Sequence, residues 1–525
     1  MGTSNLTYYN DRYKGTLTEQ QCEILETLIE LQSVNGSIPD LVHSIYNLDM
    51  SDVENMCDEY GTYGRLLKTD YEKPLGVLKD YQTIAVAFMY YAGTGILGDS
   101  VGMGKTVEVS GLLNILKREK GDSFRYLMLT EKKTCTQVQH ELIRFTGDYA
   151  QILPNAEQKV MKSFYDWNPP TDRLDYSIVG THALIKNSTF LAWLKIYTDS
   201  HGGSPFDILI VDESSILGGT KTEFMKSFEI LRKYFKRIIF LNATPFESKL
   251  MVFYNQLNLL DKTFLPTKTN FESEYCIKDY TGMFPKLTGK YKNQKQFKHS
   301  VRYRYFASTR KSNGAVMEDC GGGIRVSKLS KEQHRLLKET SMPRMVYDCP
   351  CALDSSIEFN DENVPKLKSL RELLKNECKD TISILIFVHF KEAQYQLSEW
   401  LHSMGVSNRI LNGDTSYDES NVIITGFRNN DFRVLITNVQ KGLNFGNCDT
   451  CIFYSVEPNP SKMIQFEGRM TREFDIRGKY VYILCSEGKE YKTLTGVIKN
   501  RAEAIENMTE VDYSVVLSIL LGGDY

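Results

Sequence analysis

The stretch Gly98-Asp99-Ser100-Val101-Gly102-Met103-Gly104-Lys105-Thr106 combines the residue types needed to hold a polyphosphate. A short apolar run, Gly95-Ile96-Leu97, precedes it, and a helical pattern from Val107 to Leu116 follows. A glycine-rich turn between strand and helix lets backbone N–H groups approach phosphate oxygens, and the helix N-terminus adds its dipole. Gly102, Met103 and Gly104 are the expected ATP cradle, and Lys105 is the expected cation at the β/γ-phosphates. The Thr106 hydroxyl is the expected Mg²⁺ ligand. The first glycine of the strict motif is displaced, because Asp99 stands five residues before Gly104, but the Gly-x-Gly-Lys-Thr end is intact.

Phosphoryl transfer also needs a metal-holding acid, a base and late positive charge. Asp207-Ile208-Leu209-Ile210-Val211-Asp212-Glu213 reads as a buried strand ending in two acids. Asp212 is expected to hold Mg²⁺ through water, and Glu213 to position and deprotonate the attacking water. Arg469 and Arg472, at i and i+3, would share one helix face and could supply the late positive charge. Lys441 and Asn444, in a glycine-flanked loop, could meet nucleic-acid phosphates.

These groups need two positioning sheets. Tyr126 to Thr130, Tyr176 to Gly180, Ile208 to Val211 and Arg237 to Leu241 read as buried parallel strands. The texture returns at Ile382 to Val388, Asn408 to Leu411, Arg433 to Ile436, Thr450 to Tyr454 and Tyr480 to Leu484. Ahead of both, residues 16–65 look helical and separate, opening with the capping box Thr18-Glu19-Gln20-Gln21.

With 525 residues, 42% of them apolar and 25% charged, the chain is an ordinary folded protein rather than a fibrous or disordered one. No run approaches the ~18 apolar residues of a membrane span. The first residues carry no signal-peptide pattern, and eleven scattered cysteines are not a disulfide framework. Both point to a soluble intracellular protein with reduced thiols, in a bacterial cytoplasm, an infected host cell or a nucleus. Cys349-Pro350-Cys351 and Cys448-Asp449-Thr450-Cys451 are the two close cysteine pairs, each short of the four matched ligands of a structural zinc site.

Charge is distributed unevenly. Residues 1–70 hold twelve acidic against four basic side chains, a net of −8. Between Tyr280 and Met317 stand nine Lys/Arg and no Asp/Glu, among them Lys292, Lys295 and Lys298. Phe284, Tyr291, Phe297, Tyr303, Tyr305 and Phe306 interleave with them, a mixture suited to a phosphate backbone plus base stacking. The acidic segment could shade this basic one, or dock a protein partner.

In order along Leu78 to Leu484, the motifs resemble those of superfamily-2 helicases, most closely the Swi/Snf-type double-stranded DNA translocases. Leu78-Lys79-Asp80-Tyr81-Gln82 resembles the motif whose glutamine, here Gln82, reads adenine. Gly95 to Glu108 resembles the phosphate-loop motif, with Gly98 and Ser100 where the family tends to have Ala and Glu. Leu241-Asn242-Ala243-Thr244-Pro245-Phe246 resembles the nucleotide-sensing motif that touches nucleic acid through Thr244. Leu435 to Phe445, with Lys441, Gly442 and Asn444, resembles the motif coupling DNA to ATP. Gln465-Phe466-Glu467-Gly468-Arg469-Met470-Thr471-Arg472 resembles the arginine-finger motif, with Gln465 at the nucleotide. Ser214 and Ser215 replace the family's His after the acid pair, and Glu473-Phe474-Asp475 replaces Ile-Gly-Gln.

The resemblance implies an α/β fold of two RecA-like parallel-sheet lobes, with a basic helical insert and a small helical N-terminal module. The expected boundaries are 1–72 for the acidic module, 73–265 for the first lobe, 266–345 for the insert and 346–525 for the second lobe with C-terminal helices. It implies an ATP- and Mg-dependent DNA translocase that moves along or remodels DNA, duplex in the leading form. The alternatives are a strand-separating DNA or RNA helicase, and a nucleotide-gated scaffold with negligible turnover. The compact build resembles virus-encoded members of the family.

Overall fold

The computed structural model describes residues 17–32, 38–48, 78–99, 102–153, 157–219, 223–242, 250–281, 285–308, 321–438, 445, 448–458, 463, 466, 480–506, 516–517 and 520. The chain forms two compact units, Met1–Ala315 with Glu510–Tyr525, and Val316–Thr509.

The first unit is built on seven strands: β1 (Thr94–Leu97), β2 (Tyr126–Thr130), β3 (Ala150–Leu153), β4 (Ser177–Thr181), β5 (Ile208–Val211), β6 (Arg237–Leu241) and β9 (Tyr305–Phe306). Their order across the sheet is β3-β4-β2-β5-β6-β1-β9, and every pairing is parallel. The strands are apolar on both faces because helices cover both. Leu97, Met128, Ile210 and Ile239 pack with the helices Asp80–Ala92, Lys105–Lys120 and Cys135–Thr146. Ile96, Leu127, Leu209, Val211 and Phe240 pack with Ser188–His201 and Leu250–Leu260. The helix Asp80–Ala92 is buried continuously from Tyr81 to Met89.

The second unit holds a six-stranded sheet in the order β10-β15-β14-β11-β13-β12. Its strands are β10 (Gly321–Ser327), β11 (Ile384–Phe387), β12 (Asn408–Leu411), β13 (Val434–Thr437), β14 (Thr450–Phe453) and β15 (Tyr480–Ser486), again all parallel. Each unit is therefore a RecA-like lobe, as the strand-and-helix texture suggested.

Three expectations need correction. The N-terminal helices Glu19–Leu31 and Ile38–Tyr46 are not separate: Leu25, Leu28, Ile29, Val42 and Ile45 share one core with Tyr81, Ile84 and Phe88. Their acidic side chains remain outside, where Glu23 pairs with His299 at 3.0 Å and Glu30 with Arg302 at 3.2 Å. The stretch 266–345 is not simply a helical insert. It contains an antiparallel hairpin, β7 (Cys276–Asp279) with β8 (Lys286–Tyr291), it gives β9 to the first sheet, and it gives β10 to the second. Glycines at 321–323 hide β10 in the sequence, and Gly322 is needed because a Cβ there would lie 2.2 Å from the Val481 carbonyl oxygen.

The aromatics interleaved with the basic residues pack inward, against the expectation that they stack on bases. Phe297 and Phe306 are buried, and Tyr305 packs edge-on against Phe253 at 5.1 Å. Phe271, Tyr275 and Phe297 form one aromatic cluster, and the Tyr291 hydroxyl accepts the Leu250 N–H. Buried Phe297 and Phe306 are not available to stack on bases, Tyr291 and Tyr305 are half-buried against the first unit, and half-buried Tyr303 lies against Arg302 and Glu30; Phe284 lies outside the described residues. Cys448 and Cys451 are buried in the second core, with the Cys448 thiol donating to the Ser383 carbonyl. Among the described residues, no helix is long and apolar enough to cross a membrane.

Candidate nucleotide site

The phosphate loop leaves β1 at Leu97 and re-enters structure at the helix Lys105–Lys120. Gly102 and Gly104 have φ of +81° and +88°, left-handed conformations that glycine adopts without a Cβ penalty. Gly104 also has no room for a side chain, because a Cβ would sit 2.8 Å from the Gln82 amide nitrogen. The Met103 side chain is anchored in the core, so this residue can offer a nucleotide only its backbone. Its carbonyl accepts hydrogen bonds from the Tyr81 hydroxyl at 2.6 Å and from Gln82 Nε2 at 3.3 Å. Gln82 Oε1 accepts the Lys79 N–H at 3.1 Å. Gln82 is thus buried and tied to the loop, a structural role beside the adenine-reading one expected of it.

Lys105 Nζ donates to the Asp99 carbonyl at 2.7 Å, which keeps the ammonium over the loop. Asp99 is fully buried. Its Oδ1 accepts the Ser308 N–H at 2.7 Å, and the buried Glu108 carboxyl lies beside it. Burial raises the Asp99 pKa, while the Ser308 N–H and the nearby Lys105 ammonium oppose the shift. Asp99, Glu108 and Ser308 carry no expectation from the sequence, since a buried acid beside a phosphate loop shows no pattern of its own. Gly98 is explained by shape: a Cβ there would stand 2.4 Å from Tyr305 Cε2 and 2.6 Å from its hydroxyl. The chain therefore carries glycine where the resembled family tends to have alanine.

Asp212 and Glu213 follow β5, three strands of the sheet order from β9 and two from β1. The Asp212 N–H bonds to the Leu129 carbonyl at the end of β2. Its Oδ2 accepts from the Thr130 hydroxyl at 3.0 Å, and its Oδ1 accepts the Glu213 N–H at 2.9 Å. The ring of His182, just past β4, meets the Asp212 carbonyl at 2.7 Å. Glu213 has φ +48°, a left-handed conformation rare outside glycine and typical of strained functional turns. Gln256 Nε2 reaches the Ser214 carbonyl at 3.2 Å, and Asn242, at the end of β6, donates to Gln256 Oε1 at 3.4 Å. The backbone of Ser214, the first of the two serines that replace the family's His, is thereby held by Gln256, which Asn242 in turn orients. His182, Gln256 and Thr130 were missed because their partners are backbone atoms or acids far away in sequence.

Burial, then the neighbouring Glu213 carboxylate, pushes the Asp212 pKa up to about 6, and Lys105 opposes the shift. Two adjacent acids whose repulsion a cation relieves are a donor set that fits a divalent metal. Lys105 and Thr106 open the helix that follows β1, Asp212 and Glu213 follow β5 of the same parallel sheet, and Lys105 is near enough to act on the Asp212 carboxyl.

Lys292, Lys295 and Lys298 are exposed on and beside the helix Gln294–Val301. Thr244, Lys441, Gly442, Asn444, Gln465, Arg469 and Arg472 lie outside the described residues.

Residues 81–380 match the SNF2-related domain family, and residues 365–473 match the helicase conserved C-terminal domain. An uncharacterized ATP-dependent helicase of Bacillus subtilis (strain 168), YqhH, is 22% identical over 432 residues, covering 75% of this chain and 72% of that protein. The SWI/SNF-related matrix-associated actin-dependent regulator of chromatin subfamily A-like protein 1 of Bos taurus is 22% identical over 476 residues, or 84% of this chain but 46% of that protein. Of Protein CHROMATIN REMODELING 4 of Arabidopsis thaliana the chain spans 19%. The solved structure of S. cerevisiae Dbp5 bound to RNA and ADP BeF3 has the same fold, with a TM-score of 0.51 at 16% identity, covering 89% of this chain and 98% of that one. With more than half of its length in one matched family, the chain belongs to the SNF2-related family and is a superfamily-2 helicase of the Swi/Snf type.

Proposed function

We propose that the chain is a nucleic-acid-dependent ATPase that converts ATP hydrolysis into movement along duplex DNA. The observation that carries the chemistry is that Lys105, at the start of the helix after β1, and the Asp212–Glu213 pair, just past β5, belong to one parallel sheet, with Asp212 and Glu213 positioned by Thr130, His182 and Gln256. Gly102, Met103 and Gly104 would receive the phosphates through the backbone, and Lys105 would leave the Asp99 carbonyl to meet them. Mg²⁺, when bound, would be held by Thr106 and Asp212 and would neutralise charge on the β- and γ-phosphates. Glu213, on its strained turn, is suited to accept a proton from the attacking water. Arg469 and Arg472 would add positive charge as the leaving group develops.

The DNA reading rests on the family and on the similarity to SWI/SNF-related and chromatin-remodelling proteins. Lys292, Lys295 and Lys298 are an exposed basic set that suits a phosphate backbone. Glu23 and Glu30 lie beside this set, paired to His299 and Arg302, so the acidic N-terminal helices compete there for the same charge or offer it to a protein partner. The deciding measurement is steady-state ATPase rate against single-stranded DNA, duplex DNA, forked DNA and RNA. Strongest stimulation by duplex DNA supports the proposal, with a triplex-displacement assay reporting movement. Stimulation only by single strands or RNA would instead make the chain a strand-separating helicase. No turnover with any ligand would make it a nucleotide-gated scaffold.

A further inference from the structure

Cys349 and Cys351 flank Pro350 at the end of the helix Pro343–Asp348 in the second unit. Their sulfurs are 3.2 Å apart, inside ordinary sulfur–sulfur contact and close to the separation from which a bond forms. The two thiols differ in access: Cys349 is fully buried, while Cys351 is half-buried. Pro350 restricts the backbone between them, and the Ala352 N–H bonds to the Cys349 carbonyl at 3.1 Å, so the turn that brings the sulfurs together is already fixed. Neighbouring Asp348 is held by the buried Lys366 ammonium at 2.9 Å, which also reaches Glu490 at 2.8 Å. Its carbonyl accepts the Tyr454 hydroxyl at 2.8 Å, so the residue before the pair is anchored at its side chain by Lys366 and at its backbone by Tyr454.

We propose that Cys349 and Cys351 are a reversible dithiol–disulfide couple that exchanges with low-molecular-weight disulfides such as glutathione disulfide. The Cys351 thiolate attacks one sulfur of the small disulfide and releases one thiolate. Cys349 then attacks the Cys351 sulfur, breaks the mixed disulfide and releases the second thiolate. Two protein thiols are oxidised, one small disulfide is reduced to two thiols, and the two protons pass to those products. The hydrogen bond from Cys349 lowers the Cys351 pKa, while the same bond and burial raise that of Cys349. The more acidic thiol is thus also the accessible one, as an attacking thiol requires. A ring closed across one intervening residue belongs to the readily reduced class of disulfides rather than the structural class.

The test uses the full-length chain equilibrated in glutathione redox buffers, quenched by alkylation and digested with trypsin. The peptide Met345–Lys366 contains these two cysteines and no other, so mass alone reports their state apart from Cys22 and the remaining thiols. The expected result is joint loss of both thiols with oxidation, a peptide lighter by two hydrogens without retained glutathione, and full recovery on reduction. A wild-type peptide that stays reduced at every ratio, or that accumulates a glutathione adduct, would overturn the proposal. Cys349→Ser should trap glutathione on Cys351, whereas Cys351→Ser should form adduct at least about tenfold more slowly. Equal rates in the two variants would overturn the assignment of the attacking sulfur.

Discussion

Replacing Gly98 by Ala tests the fit between the phosphate loop and β9 through a single methyl group. Gly98 is not among the glycines with positive φ, so alanine can adopt its backbone conformation. On that ground alone Gly98→Ala would stabilise the protein by roughly 0.4–1 kcal/mol, by restricting the unfolded chain. The added Cβ, however, would lie 2.4, 2.6 and 2.8 Å from Cε2, the hydroxyl oxygen and Cζ of Tyr305. That ring is held edge-on by Phe253 and cannot simply swing away. Overpacking of this kind costs about 1–3 kcal/mol, so the clash should win. The unit melts with a Tm lowered by about 2 °C per kcal/mol, and scanning calorimetry of the full chain should register it. ATP KM should rise as well, because the displaced residue adjoins Asp99, whose carbonyl holds Lys105. The decisive comparison is Gly98→Ala in a Tyr305→Leu background, where the obstruction is gone. There the substitution should become neutral or stabilising, giving a coupling of about 1–3 kcal/mol between the two positions. The same destabilisation in both backgrounds would refute the steric reasoning.

Lys105→Ala should abolish turnover by removing the cation at the β/γ-phosphates, and Glu213→Gln should retain ATP binding while losing hydrolysis; wild-type rates in Glu213→Gln would assign the base elsewhere. Arg469→Ala and Arg472→Ala should each lower kcat by about 10³-fold with little change in nucleotide affinity, and unaltered kcat in both would leave them as surface charges. Neutralising Lys292, Lys295 and Lys298 together should weaken duplex binding and reduce its salt slope by up to about 0.9 log units per lost phosphate contact. Equal slopes for variant and parent would remove that face from the binding surface. Since Asp212 titrates near 6, ATPase should fall as pH drops through that value, and higher Mg²⁺ should move the acid limb downward by competing with the proton. The same raised pKa stabilises the fold below the ordinary value of 3.8 and loses that contribution as pH rises through about 6, so a stability profile should slope opposite to the activity profile in this window.

Much of the fold could be read from the chain because buried parallel strands announce themselves as short apolar runs. β2, β5, β6 and β12 coincide with the runs expected for them. β3 and the hairpin were not expected, since Ala150–Leu153 and Lys286–Tyr291 mix polar and apolar residues as surface-facing strands do. β10 was hidden by glycines whose reason is the approach of the Val481 backbone, a contact 159 positions away in sequence. The basic stretch was correctly seen as charged, but its aromatics were assigned to stacking because periodicity does not reveal which neighbour covers a ring.

The sequence alone singled out the residues proposed for the chemistry, since a glycine-rich turn, an acid pair and a strand–turn–helix setting are local patterns. Only the tertiary structure decided what holds them. Gln82 and Tyr81 grip the Met103 carbonyl, Ser308 binds buried Asp99, and His182 and Gln256 fix the backbone on either side of Glu213. These partners are brought together by sheet order, which places residues 21 to 209 positions apart within hydrogen-bond distance. Likewise, the acidic helices Glu19–Leu31 and Ile38–Tyr46 looked like a detachable module from charge, whereas burial of Leu28 and Val42 against the helix Asp80–Ala92 makes them part of the first core. Charge pattern is written in one dimension; which apolar face meets which is settled only when the sheet has brought its distant strands together.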